Sequence, residues 1–210
     1  METCGDELLA AAKKCIQAAH DAGESIFVWF NTSHVHASTH VKPESRGQAG
    51  RWRSDYHDVM IDHDKCIVEM LDFIDKLGIA DNTFVQYSTD NSPHMNTWQV
   101  SGIPSFRSEK NANWEGTYRV PCIVRFPGQI KAGSESNEII SHLDWFPTVL
   151  AIAGEPEISA ELKKGDKAVG KTFKVHLDGY NLIPYLTGKE TKSPRKGFIY
   201  FTDDRDVAAL

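Results

Sequence analysis

An aspartate and an asparagine stand side by side at Asp90-Asn91, directly after Thr83-Phe-Val-Gln-Tyr87 and directly before Ser92-Pro93. Phe84, Val85 and Tyr87 favour a pleated strand, and Ser-Pro forces a turn, which predicts the pair at the carboxyl end of a strand. In open α/β sheets, ligands bind beyond the carboxyl ends of the strands. A carboxylate and a carboxamide placed there offer two hard oxygen ligands to Ca²⁺ or Mg²⁺. Taken alone, an Asp-Asn before Ser-Pro is usually only a turn. Two further loops add chemistry of the same kind. His34 and His36 follow the apolar run at residues 26–30, and Lys110 precedes Trp114-Glu115-Gly116. Converged on one face, these groups supply metal ligands, a cation for an anionic group and an imidazole for proton transfer. That set suits hydrolysis of a sulfate or phosphate ester.

Each group also has a plain structural reading. Loop histidines and a loop lysine are commonly just solvated. Asp62, His63 and Asp64 are adjacent on a helical pattern and point in different directions, so they read as a solvated face with one partly buried imidazole. Glu115, beside Gly116, reads as an acceptor for backbone amides rather than a general base.

The elements that must position these residues follow from apolar periodicity. Residues 5–22 carry Leu8, Leu9, Ala12, Cys15, Ile16 and Ala19 on one side of a helix that Gly23 ends. Ile-Phe-Val-Trp-Phe at 26–30 is short and wholly apolar, which predicts a central strand. Residues 37–53 form a long loop with Pro43, Gly47 and Gly50, of a length that is usually functional or disordered. Residues 55–77 are the clearest helix, with Val59, His63, Ile67, Met70, Ile74 and Leu77 in one stripe. Helix then strand, twice over, points to a mixed, largely parallel sheet flanked by helices. Residues 92–116 have little regular pattern and read as an active-site loop. A strand is predicted over 119–126 and a helix over 141–153, with Pro147 absorbed in its first turn or kinking it. Residues 155–174 read as polar surface, 180–186 as a short apolar segment, and 198–201 as a last strand.

The 210 residues carry 23 Lys and Arg against 29 Asp and Glu, a net charge of −6, with no basic cluster. That excludes a nucleic-acid binder of the usual basic kind. The apolar runs are too short and interrupted for a transmembrane helix. The N-terminus lacks a basic region followed by an apolar core, so it is not read as a signal peptide. Cys4, Cys15, Cys66 and Cys122 form no Cys-x-x-Cys pair and are expected to be buried free thiols.

Several segments in register resemble the sulfatases, in the arylsulfatase branch of the alkaline-phosphatase superfamily. Phe27-Val-Trp-Phe-Asn-Thr-Ser-His-Val-His36 looks like the family's strand and histidine loop. Tyr87-Ser-Thr-Asp-Asn-Ser-Pro93 looks like its metal-binding Asp-Asn-Gly-Pro segment. Glu109-Lys-Asn-Ala-Asn-Trp-Glu-Gly116, continuing to Arg119-Val-Pro121, looks like its Lys-x-x-x-Tyr/Trp-Glu-Gly stretch. Asp144-Trp-Phe-Pro-Thr-Val-Leu150 and Gly179-Tyr-Asn-Leu-Ile-Pro-Tyr-Leu186 look like later structural signatures. The resemblance implies an alkaline-phosphatase-like α/β fold and an arylsulfatase-type sulfuric ester hydrolase. It implies Asp90 and Asn91 as ligands of a divalent cation, Ca²⁺ ahead of Mg²⁺. Lys110 would bind sulfate oxygens, His36 would contact the substrate near the bridging oxygen, and His34 would be a secondary substrate contact.

The departures are as specific as the match. Sulfatases use a formylglycine made from the Cys or Ser of Cys/Ser-x-Pro-Ser-Arg, and no cysteine here stands in that pattern. Ser101-Gly-Ile-Pro-Ser-Phe-Arg107 has the wrong spacing, and the family's early Asp-Asp pair is absent. Ser92 replaces the usual glycine. Residues 1–210 are therefore expected to be a partial catalytic domain, lacking the N-terminal nucleophile segment and the C-terminal subdomain, with Met1 resembling an internal methionine. Such a chain is expected to be inactive alone. The alternatives are a non-catalytic remnant or partner chain that binds a divalent cation or a sulfated ligand, with a separate N-terminal half as its partner, and a phosphoesterase of the same superfamily. Complete relatives are often periplasmic, secreted or lysosomal, so the sequence leaves localisation open.

Overall fold

The computed structural model describes residues 2–36, 38–52, 54–202, 204 and 206–209. The chain divides into two compact units, Met1–Val124 and Arg125–Leu210.

The first unit is built on two long helices, α1 (Cys4–Ala22) and α2 (Asp55–Lys76), which pack together. The apolar stripes explain the pairing: Leu9 and Ile16 of α1 and Val59, Cys66 and Ile74 of α2 are buried. Gly23 takes a left-handed φ of 67° and returns its N–H to the last turn of α1. Ser54 caps α2 by accepting from His57 N. Lys42 bridges to Asp6 at 2.7 Å and Lys13 to Glu69 at 2.9 Å.

Of the predicted loop over 37–53, the described residues 38–52 are better anchored than its length suggests, and 37 and 53 lie outside the described residues. The loop contains short 3₁₀ turns at Pro43–Ser45 and Gly50–Trp52. Asp58 of α2, buried, accepts from Gly47 N and Ala49 N at 2.8 Å each. Gln48 Nε2 donates to Asp62 Oδ1 at 2.9 Å. Asp62 is thus a buried acceptor rather than part of a solvated face, whereas His63 is half-buried, as its place in the stripe predicts. Cys66 alone of the four cysteines is buried, and Cys15 and Cys122 are exposed, against the expectation of buried thiols.

Strand β1 (Val85–Ser88) precedes Asp90 and pairs with β2 (Cys122–Arg125) in a two-stranded sheet. A short helix α3 (Glu115–Tyr118) lies between them in sequence. Residues 26–30 correct the expectation of a central strand: they adopt no strand, and Phe27 and Trp29 are 66% and 79% exposed. A strand needs a neighbouring ladder for its N–H and C=O groups, and this run has none among the described residues. The sheets among the described residues are all two-stranded, as expected of an incomplete α/β domain.

The second unit is organised around Asp144. A 3₁₀ turn at His142–Asp144 leads into α4 (Trp145–Ile152), with Ser141 and Asp144 forming a reciprocal capping box. Pro147 falls in the first turn of α4, where its missing N–H costs no helical bond. Residues 155–174 are more than polar surface. They hold α5 (Ile158–Lys164), whose Ile158 and Leu162 are buried, and an antiparallel hairpin of β3 (Asp166–Ala168) and β4 (Lys171–Phe173). The hairpin turns on Val169 and Gly170, both at positive φ, the twist a two-residue hairpin needs. Helix α6 (Ile183–Leu186) and antiparallel strands β5 (Tyr200–Phe201) and β6 (Val207–Ala209) complete the unit.

Candidate active site

All the site residues singled out in the sequence lie in the first unit, on three loops that hydrogen bonds tie together. Ser92 N donates to Thr117 O at 3.0 Å, and Ser92 Oγ to Arg119 O at 3.3 Å. Lys110 N donates to Pro93 O at 3.2 Å. The turn after β1 and the loop carrying Lys110 are therefore one assembly. Trp98 Nε1 donates to His36 O at 3.2 Å, and the Trp98 ring lies 5.7 Å from that of Tyr56 on α2. That bond ties the histidine loop to the same segment.

Ser92 is buried and does not have a positive φ. Serine is unstrained there, and its hydroxyl makes a bond that glycine cannot. Strain instead lies beside the candidate groups. Val35, between the two histidines, has φ 58°, and Ser108 and Asn111, flanking Lys110, have φ 76° and 68°. A β-branched residue in the left-handed region is unusual, and such residues cluster at functional sites.

Val35 separates two unlike histidines. His36 is exposed, and its backbone carbonyl accepts from Thr39 Oγ1 at 2.8 Å as well as from Trp98 Nε1. His34 is half-buried between the helices. A Cβ on Gly5 of α1 would lie 2.1 Å from its Cε1, and its ring centroid is 5.7 Å from that of His63 on α2. Its Nδ1 is buried without a hydrogen-bond partner among the described residues. His63 bridges Thr32 Oγ1 and Tyr87 Oη, each at 3.1 Å. This cluster of His34, His63, Thr32 and Tyr87 was not legible in the sequence beyond the stripe position of His63.

Burial pushes the imidazoles of both His34 and His63 below the ordinary value of 6.5; for His34, Asp62 and Asp6 pull the other way, and Lys42 adds to burial. For His63, His34 adds to burial and Asp64 opposes it. A depressed imidazole favours the neutral folded state, so the stabilisation is complete above pH 6.5 and is lost as the pH falls below it. Urea unfolding between pH 8 and 5 is therefore expected to show stability falling on the acid side. The double variant H34Q/H63Q should flatten that fall, and an unchanged profile in the variant would refute this source.

Asp90 is exposed and receives Thr89 Oγ1 at 3.3 Å; Asn91 is half-buried. Their oxygens fit a hard divalent cation in kind but not in number, since calcium takes about six to eight. Among the described residues there is no cluster of three or more His, Cys, Asp or Glu that could hold a metal ion. The ammonium of Lys110 makes no hydrogen bond or ion pair among the described residues. Glu115 is exposed and pairs with Arg119 at 3.2 Å; Glu109, not Glu115, accepts a backbone amide, that of Met95. Among the described residues, no helix is long and apolar enough to cross a membrane.

A helix-flanked strand ending in a polar turn, with a lysine loop and a histidine loop bonded to it, defines part of an alkaline-phosphatase-like α/β domain. The structure of a PsFucS1 sulfatase from Pseudoalteromonas sp. superposes with a TM-score of 0.82 at 23% identity, over 97% of this chain and 38% of that one. In sequence, the profile of the family described as Sulfatase matches residues 3–155. The chain belongs to the sulfatase family. It is 33% identical over 174 residues to a steryl-sulfatase of Rattus norvegicus, covering 80% of this chain and 27% of that protein. It is 30% identical over 196 residues to a human N-acetylgalactosamine-6-sulfatase, covering 92% and 33% respectively. The chain thus spans between a quarter and a third of the length of these two relatives.

Proposed function

We propose that the chain forms the sulfate-binding and leaving-group side of an arylsulfatase-type sulfuric ester hydrolase. The observation that supports this is the bonding of three loops into one assembly, through Ser92 to Thr117, Lys110 to Pro93 and Trp98 to His36. Lys110 donates to the sulfate oxygens, and its lack of a carboxylate partner among the described residues leaves the ammonium available to them. His36 donates to the bridging oxygen as the alcohol leaves. His34, packed on α1 and α2, fixes the loop that presents His36 and is a substrate contact of second rank. Asp90 and Asn91 would hold a divalent cation, calcium ahead of magnesium, with the rest of its ligands supplied by water or by groups outside these 210 residues. When bound, the cation neutralises negative charge on the sulfate. The nucleophile is formylglycine, as in complete family members, and it comes from outside these residues, because no Cys/Ser-x-Pro-Ser-Arg is present.

The purified chain is expected to bind 4-nitrophenyl sulfate without hydrolysing it, and K110A to weaken that binding about tenfold or more. Turnover by the chain alone would refute an external nucleophile. Binding indifferent to K110A would refute the site. A second reading, a non-catalytic partner of a separate N-terminal half, is favoured by the exposed Phe27 and Trp29. Translating the DNA upstream of Met1 separates the two: an in-frame Asp-Asp and Cys/Ser-x-Pro-Ser-Arg supports the enzyme, and a stop codon with no such segment nearby supports the partner reading.

A further inference from the structure

The loop that carries Lys110 holds a second free cation in a built setting. The Arg107 guanidinium carbon lies 3.9 Å from the centroid of the Trp114 ring. Arg119 stacks in the same way on Phe106 at 4.2 Å. The two arginines differ in what else they meet. Arg119 is neutralised by Glu115, and the other acid of the loop, Glu109, is taken by the amide of Met95. Arg107 is exposed, and its guanidinium makes no hydrogen bond or ion pair among the described residues.

Stacking on an indole fixes the plane of a guanidinium and leaves the N–H groups at its edge pointing outward. Those donors match a carboxylate or a sulfate, which they can bind through two oxygens at once. The loop backbone is held as well. Gly116 N donates to Arg107 O at 2.8 Å, and Thr117 Oγ1 donates to Glu109 O. Arg107 and Lys110 are three residues apart in sequence, so their Cα atoms are at most about 11 Å apart. Two unpaired cations on one short loop can each engage an anionic group of the same molecule.

We propose that Arg107 binds a second anionic group on the organic part of the substrate, so that the site selects sulfate esters that also carry a carboxylate or another sulfate. The assignment rests on the reading of Lys110 as the sulfate-binding residue. It makes Arg107 a specificity-determining residue, outside the chemistry at sulfur.

A matched pair of probes tests it: phenyl sulfate and 4-carboxyphenyl sulfate, titrated by calorimetry into the 210-residue chain. The wild type is expected to bind the carboxylated probe about five- to tenfold more tightly. R107A should bring the two affinities together. R107K should keep only part of the preference, since an ammonium does not lie flat on the indole. K110A should weaken both probes. A wild type with no preference, with no measurable binding of the carboxylated probe, or with a preference that survives R107A, overturns the inference. If R107A removes the preference while K110A affects neither probe, the anion site at Arg107 stands and the reading of Lys110 fails. Matching thermal melts for R107A and R107K tie any loss to the guanidinium rather than to the fold.

Discussion

Replacing Arg195 by methionine is expected to lower the stability of the second unit by about 3–5 kcal/mol. Arg195 and Asp144 form a two-pronged pair, Nε to Oδ2 at 2.8 Å and Nη2 to Oδ1 at 2.7 Å. The side chains are 5% and 0% exposed, so neither charge has water to fall back on. Arg195 also donates to Asp178 O and Gly197 O, and its guanidinium lies 5.0 Å from the ring centroid of Tyr180. Asp144 accepts from Ser141 N at 2.8 Å and from Tyr180 N at 2.9 Å. These bonds decide the comparison with an uncharged pair. Replacing a buried ion pair by apolar groups is often neutral, but here it would strand two backbone amides at about 1–3 kcal/mol each. D144L/R195M should therefore remain about as unstable as R195M instead of recovering. Urea unfolding followed by circular dichroism measures both. A loss under about 1 kcal/mol in R195M, or full recovery in the double variant, would contradict the account.

That hub shows where sequence reasoning reaches its limit. The helix over 141–153 was legible because Leu143, Phe146, Val149 and Leu150 repeat at helical spacing. Asp144 in the same stretch matches a family signature, yet nothing local says that its partner is Arg195, 51 residues on. The long helices α1 and α2 were legible almost to the residue, since periodicity and glycine stops are local signals. The run at 26–30 was misread because its apolar character encodes burial in a ladder, and a ladder is a property of neighbours rather than of the run itself. Helix α5 was hidden for the opposite reason: two buried residues, Ile158 and Leu162, carry it among polar ones.

The site divides in the same way. Asp90, Asn91, Lys110 and the two histidines could be picked out from residue type and position after predicted strands. That Ser92 relaxes into a non-glycine conformation, that Val35 and not a glycine bears the left-handed turn, and that His34 turns toward α1 depend on contacts from distant segments. Arg107 and Trp114 are seven residues apart, and no periodicity predicts a stack in an irregular loop. Gly116 sits between these cases. Its place after Trp114-Glu115 was legible; its reason was not.

G116A is expected to cost about 2–3 kcal/mol and to weaken sulfate-ester binding by about tenfold or more. Gly116 does not need a positive φ; it needs the absence of a side chain. A Cβ there would stand 2.2 Å from Ser108 O and 2.3 Å from Arg107 O, both backbone atoms. The neighbouring backbone must retreat by about 1 Å to reach ordinary contact. It has little freedom to do so, because Ser108 already occupies the left-handed region and Thr117 holds Glu109 O. The displacement therefore breaks the bond from Gly116 N to Arg107 O and carries Lys110 with it. Gly102 provides the control: nothing lies within 4 Å of a Cβ built there, and its φ is not positive. G102A should keep wild-type stability and wild-type affinity for 4-nitrophenyl sulfate. If G116A behaves like G102A in both measurements, the close approach of α3 to residues 107–108 does not position Lys110. If G116A loses stability but binds the ester normally, the packing is real and Lys110 is not the group that holds the sulfate.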